Sequence, residues 1–312
     1  MMTTTTNERD VIEVEGLRMR YGSTDVLHDV SFGVRRGGVL ALLGPNGAGK
    51  TSTIEVLEGF RMRSAGRVDV LGVDPARGDE QWRARIGIVL QSWRDHAKWR
   101  VRELLAYQGS LYAAYSVPSI PRPWMVDDLL AAVGLTGQAE RPVGKLSGGQ
   151  RRRLDVAIGL VGRPDLVFLD EPTTGLDPKA RRDFHGLVRQ ISHELGATIV
   201  ITTHDLDEAE HLADRILILV GGRIIADGTS EQLARQIVGH DEVRWVQDGA
   251  HHTRSVADST AFVRELLRRD ESGVSELDIR RASLEETYLT LVREAELAGT
   301  APLETELEGA SR

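Results

Sequence analysis

Short apolar runs along this chain alternate with longer stretches in which apolar residues recur every three or four positions. Val39–Leu43, Ile86–Leu90, Leu166–Leu169, Thr198–Ile201 and Ile216–Val220 are nearly continuous apolar runs. Such runs predict strands covered on both faces, as in a parallel sheet flanked by helices. Val11–Val14 and Val30–Val34 alternate apolar and polar residues instead, which predicts half-buried antiparallel strands. Helices are expected over Lys50–Leu57, Val101–Tyr115, Met125–Val133, Gly149–Leu160, Lys179–Leu195 and Leu206–Leu212. The sum is an α/β layered core with an antiparallel edge over about residues 10–228.

Past Gly228 the pattern weakens. Ser230–Val238, Thr260–Arg269 and Leu284–Glu296 read as helices, and Glu242–Val246 and Val274–Ile279 as strands. Residues 229–296 therefore predict a small α+β accessory domain. Residues 1–9 and the acidic 297–312 lack periodicity and are expected to be disordered.

Composition narrows the setting. Hydrophobic residues make up 41% and charged residues 28% of the 312, a globular balance, with a net charge of −8. That sign argues against a broad basic footprint for nucleic acid, so no nucleic-acid partner is expected. The absence of cysteine excludes disulfides, thiolate metal sites and cysteine nucleophiles. No uninterrupted apolar run exceeds five residues, whereas a spanning helix needs about 20. The opening MMTTTTNERD has no apolar segment of the secretory kind. Work at a membrane would therefore call for a partner, and a cytoplasmic location follows as an expectation.

The run Val39–Leu43 leads directly into GPNGAGKT, Gly44 to Thr51, and then into a helical stretch. This is G-x-x-x-x-G-K-[ST] in its strand–loop–helix context. Glycines let the backbone amides curl around phosphate oxygens, and the helix start adds a favourable dipole. Lys50 is placed to pair with the β- and γ-phosphates, and the Thr51 hydroxyl to ligate Mg²⁺. The loop specifies a nucleoside triphosphate, a feature kinases, GTPases and motor ATPases share.

Two further motifs narrow the chemistry. Leu166–Glu171, LVFLDE, is an apolar strand ending in two carboxylates, at the sheet edge where ligands bind. Asp170 is a candidate Mg²⁺ ligand, and Glu171 a candidate base or orienter for an attacking water. Leu146–Gln150, LSGGQ, precedes the helical RRRLDVAIGL, so Ser147, Gly148 and Gly149 would offer a hydroxyl and backbone amides to an anion. Read alone, the first also fits an exposed acidic loop and the second a capped helix with a flexible entry.

LSGGQ, GPNGAGKT and LVFLDE together resemble the ATP-binding-cassette (ABC) ATPases over about residues 10–228. The resemblance implies a P-loop NTPase fold with a helical subdomain at about 92–162, using ATP and Mg²⁺. It implies that Tyr21 of RYG stacks on adenine, and that Gly44, Pro45, Asn46, Gly47, Ala48, Gly49, Lys50, Thr51 and Ser52 wrap the phosphates. Gln91 would touch Mg²⁺ and the attacking water, and His204 the γ-phosphate. Ser147, Gly148, Gly149 and Gln150 would cap a partner's γ-phosphate, with Asp177 of GLDP reaching across the interface. After Gln91 the chain reads SWRDHAKWRVREL, a departure from the more apolar, proline-containing stretch common in relatives.

One chain carries one copy of each motif, so two composite sites imply a homodimer. The resemblance implies a separate membrane permease as the load, with the chain on the cytoplasmic face of the cell membrane. Ribosome-acting relatives usually carry two cassettes, and DNA-repair relatives a long coiled coil between loop and signature; Lys50 to Ser147 holds no heptad array. Ser283–Val292, SLEETYLTLV, resembles the C-terminal region of daunorubicin-resistance-type exporter ATPases. That favours export of a drug-like or lipid-like molecule; an importer ATPase or a non-transport ABC ATPase are the alternatives. Arg151–Arg153 is expected to be a solvated helix face, and His251–His252 a solvated loop.

Overall fold

The computed structural model describes residues 10–89, 96–237, 241–247, 249–256, 258–269, 273–280, 285, 288–289 and 291–293. Two compact units, Met1–Ile224 and Ile225–Arg312, divide the chain. The expected disordered ends, 1–9 and 297–312, lie outside the described residues.

The first unit opens with β1 (Ile12–Tyr21) and β2 (Thr24–Val34), paired antiparallel with Ile12 opposite Val34 and Val14 opposite Phe32. Both run well past the predicted Val11–Val14 and Val30–Val34, because register shifts between Val14 and Arg20 move the buried positions out of strict alternation. Next come β3 (Val39–Leu43), α1 (Lys50–Leu57) and β4 (Ala65–Val70). The pattern did not predict β4, whose AGRVDV carries only two apolar positions that face inward, Val68 and Val70. It pairs antiparallel with β1 and gives the sheet order β2-β1-β4.

The chain continues through α2 (Glu80–Arg83), β5 (Ile86–Val89), α3 (Val101–Ser110), α4 (Val126–Ala132) and α5 (Gly148–Leu160). The predicted helix Val101–Tyr115 ends at Ser110, and Ala113–Tyr115 forms a separate 3₁₀ turn. Gly109 and Ser110 are poor helix formers, and the Ser110 hydroxyl donates to the Tyr107 carbonyl at 2.6 Å. Then follow β6 (Leu166–Asp170), α6 (Pro178–Leu195), β7 (Thr198–Thr203), α7 (Leu206–Leu212), β8 (Arg215–Val220) and β9 (Arg223–Gly228).

A second sheet runs in the order β5-β6-β7-β3-β8-β9, with β5, β6, β7, β3 and β8 parallel. Every residue of β3 and β7 is buried, as the continuous apolar runs require. One core joins Ile12, Val14 and Val30 to Leu40, Leu42, Phe168 and Leu217, with Ile54 and Leu57 of α1 inside it. The antiparallel sheet thus covers one face of the parallel one, while α5 packs on β5 and α7 on β3. The unit boundary falls within β9.

In the second unit, α8 (Ser230–Ile237) precedes β10 (Asp241–Gln247), β11 (Ala250–Val256), α9 (Ser259–Arg269) and β12 (Val274–Arg280). The strands form an antiparallel sheet in the order β11-β10-β12. His251 and His252 lie in β11, a correction to the expected loop: their hairpin turns at Gly249, with φ +76°, and pairs them with Val246 and Trp245. The His252 ring stacks on Trp245 at 5.2 Å, and Trp245 packs against Phe262 at 5.5 Å. Of the expected helix Leu284–Glu296, the described positions 285, 288–289 and 291–293 are helical, and the rest lies outside the described residues.

Candidate active site

The phosphate loop turns from β3 into α1 with almost no room to spare. A Cβ on Gly44 would sit 2.1 Å from the Leu219 carbonyl oxygen. Gly49 takes φ +105° and closes against Leu27. Gly49 is also the N-cap of α1, and no side chain caps that helix, so its first amides keep their donors for an anion. By contrast, Ser147, Asp177 and Asp205 cap α5, α6 and α7 with their own side chains.

Lys50 is buried, 5% exposed, and its Nζ donates to the carbonyls of Gly44 at 2.8 Å and Pro45 at 3.2 Å. Burial lowers its pKa, with Glu171 and then Asp170 pulling it back up. Tyr21, at the end of β1, places its hydroxyl 3.0 Å from Ser52 Oγ, and the Arg61 guanidinium lies 4.9 Å over its ring. A face available for stacking is therefore shared with a cation from the same chain.

The carboxyl end of β6 brings the two acids to this loop. Thr202 Oγ1 donates to Asp170 Oδ1. Glu171 Oε1 lies 3.7 Å from Lys50 Nζ and 3.3 Å from His204 Nδ1, so one oxygen stands between them. Thr174 Oγ1 donates to the other oxygen at 3.3 Å. Glu171 has φ +41°, a left-handed conformation rare for a side chain of its size. Its amide donates to Thr202 O at 3.1 Å and Thr202 Oγ1 at 3.0 Å.

The signature residues sit elsewhere. Ser147, Gly148, Gly149 and Gln150 line a cleft of about 250 Å³ with Gly175 and Asp177. Ser147 Oγ accepts from the Gln150 amide at 3.3 Å, and Gln150 Oε1 accepts from the Ser147 amide at 3.1 Å, a reciprocal cap. Asp177 Oδ1 accepts from the amides of Lys179 and Ala180. The predicted residues thus gather in two places, Lys50–Asp170–Glu171–His204 in one and Ser147–Gln150 with Asp177 in the other. Gln91 lies outside the described residues.

Arg151–Arg153 is not the solvated face expected of it. Arg152 is 6% exposed, and its Nε donates to the Pro172 carbonyl at 2.6 Å. Arg153 Nη1 donates to Val133 O at 3.0 Å. Three arginines in a row span nearly a full helical turn, so one of them must face the body of the protein; that period was the available signal. Thr202, likewise unforeseen, lies next to last in β7 with its hydroxyl aimed at Asp170.

Residues 27–174 match the family model described as ABC transporter. The chain is 40% identical over 233 residues to the Nod factor export ATP-binding protein I of Ralstonia nicotianae, covering 75% of this chain and 71% of that protein. The Daunorubicin resistance ATP-binding protein DrrA2 of Streptomyces coeruleorubidus is 35% identical, covering 90% of this chain and 94% of its own length. A solved ATP-binding subunit of an ABC transporter matches with a TM-score of 0.63 at 26% identity, covering 90% of this chain and 99% of that one. Fold, phosphate loop and relatives agree that this chain belongs to the ABC transporter family, as an ATP-binding subunit that hydrolyses ATP.

Proposed function

We propose that two copies of this chain clamp two ATP molecules and hydrolyse them to drive a separate membrane permease that exports a drug-like or lipid-like molecule. The observation that carries the catalytic part is the single Glu171 oxygen within 4 Å of both Lys50 and His204. Lys50 exchanges its backbone carbonyl partners for β- and γ-phosphate oxygens, while the uncapped amides of α1 hold the rest of the phosphate chain. Glu171 orients the attacking water and takes its proton, and His204 contacts the γ-phosphate.

Thr51 and Asp170 offer a hydroxyl and a carboxylate, hard oxygen donors of the kind Mg²⁺ takes, and Gln91 is assigned beside them by resemblance. When bound, the ion offsets charge on the phosphate oxygens. Tyr21 stacks on the adenine. Ser147 and the amides of Gly148 and Gly149 cap the γ-phosphate of the partner's nucleotide, with Gln150 holding the Ser147 backbone and Asp177 crossing the interface. The dimer follows because the two groupings are separate within one chain and a two-fold axis pairs them.

Residues 10–228 form the ATP-binding domain, and 229–296 an accessory domain. Export rests on the relatives, which include exporter and resistance ATP-binding proteins. Among the described residues no helix is long and apolar enough to cross a membrane; the separate permease and the place on the cytoplasmic membrane face rest on the likeness to ATP-binding proteins of export and resistance systems.

Mixing Lys50→Ala with Ser147→Ala protein tests the composite site. A heterodimer of the two holds one doubly damaged site and one intact site, so the mixture is expected to exceed either parent in ATPase activity. Activity no higher than the parents would refute sites built from two chains.

A further inference from the structure

The guanidinium of Arg152 grips the backbone carbonyls on both sides of Glu171. Its Nε donates to the Pro172 carbonyl at 2.6 Å and its Nη2 to the Asp170 carbonyl at 3.3 Å. Nη1 lies 3.9 Å from Asp155 Oδ2, and the group sits 6.0 Å from the Phe184 ring centroid. From the opposite side, Thr202 takes the Glu171 amide. Together these contacts bracket a residue whose φ of +41° persists only where its surroundings hold it.

We propose that Arg152 is a positioning residue for hydrolysis, tying the signature helix α5 to the loop that aims Glu171. This rests on the reading of Glu171 as the group that orients water. Arg152 lies five residues after Ser147, roughly 7.5 Å along the helix. A shift of the helix start, when Ser147 engages the partner's nucleotide, is carried by the guanidinium to the carbonyls flanking Glu171. The grip on one nucleotide thereby sets the aim of the carboxylate acting on the other. The planar fork of arginine reaches both carbonyls at once, which the point charge of lysine does not.

The test compares Arg152→Gln and Arg152→Lys with the unaltered protein, alone and combined with Glu171→Gln. Equilibrium binding of Mg·ATP, steady-state kcat and KM, and single turnover of γ-labelled ATP are measured. Either Arg152 variant is expected to lower kcat ~10- to 100-fold while Kd for ATP changes less than ~2-fold. Added to Glu171→Gln, neither should slow the residual turnover further. Unchanged kcat in a folded variant, or the same fold-loss on top of Glu171→Gln, overturns the proposal, the latter by showing a merely structural role. Should Arg152→Gln fail to fold, Arg152→Lys keeps the charge and most of the stem and decides alone. Near-normal turnover in Glu171→Gln by itself instead removes the reading of Glu171.

Discussion

Glu58, at the C-cap of α1, is 6% exposed, and burial, followed by the charges of Asp170 and Glu55, lifts its carboxyl from 4.5 to about 8. The folded chain then keeps a proton that the unfolded chain has already released between these values. The contribution of Glu58 to stability falls as pH rises through that window, by ~1.4 kcal/mol per pH unit for one proton. Glu58→Gln, neutral at every pH, should flatten this loss, read as urea midpoints at pH 5 and pH 8. Equal pH slopes in both proteins would contradict it. The same residue shows where sequence reading stops. Lys50, Asp170 and Glu171 stand out because their chemistry needs fixed spacing next to glycines or a strand end. Glu58 and Thr202 matter through burial against groups far along the chain, which no local pattern records; for Arg152 the helical period tells that one of three arginines turns inward but not what it meets.

Among the elements, the contrast is in how helices begin. The side chains of Ser147, Asp177 and Asp205 close α5, α6 and α7, whereas Gly49 leaves α1 open. At α5 the cap and the proposed phosphate contact fall on one hydroxyl, and two substitutions separate them. Ser147→Ala should cost ~1 kcal/mol of stability and also lower turnover. Ser147→Asp restores an accepting oxygen, so thermal melting should return close to the original, while turnover stays low because a carboxylate faces phosphate. Recovery of turnover with the aspartate would leave Ser147 only its structural role. Strands with continuous apolar runs, β3, β6, β7 and β8, were readable in advance because burial on both faces demands such runs. The polar β4, β9 and β11 were not, since each is held by pairing with a neighbour rather than by its own apolar content.

Taken as one molecule, the chain on the proposed reading carries two half-sites and no complete one, and that reading requires a pair. Slowing hydrolysis with Glu171→Gln should let ATP hold that pair together. In sedimentation, this variant is expected to shift from monomer to dimer mass with Mg·ATP and to remain monomeric with ADP. A monomer under saturating Mg·ATP at high protein concentration would contradict the clamp. The open start of α1 has a thermodynamic corollary. Where α5, α6 and α7 finish themselves with a serine or an aspartate, this one is completed by its nucleotide, which becomes part of the folded architecture. Free nucleotide at 100 times Kd then deepens the native well by ~2.7 kcal/mol, so each release of product hands back a looser, more heat-sensitive protein.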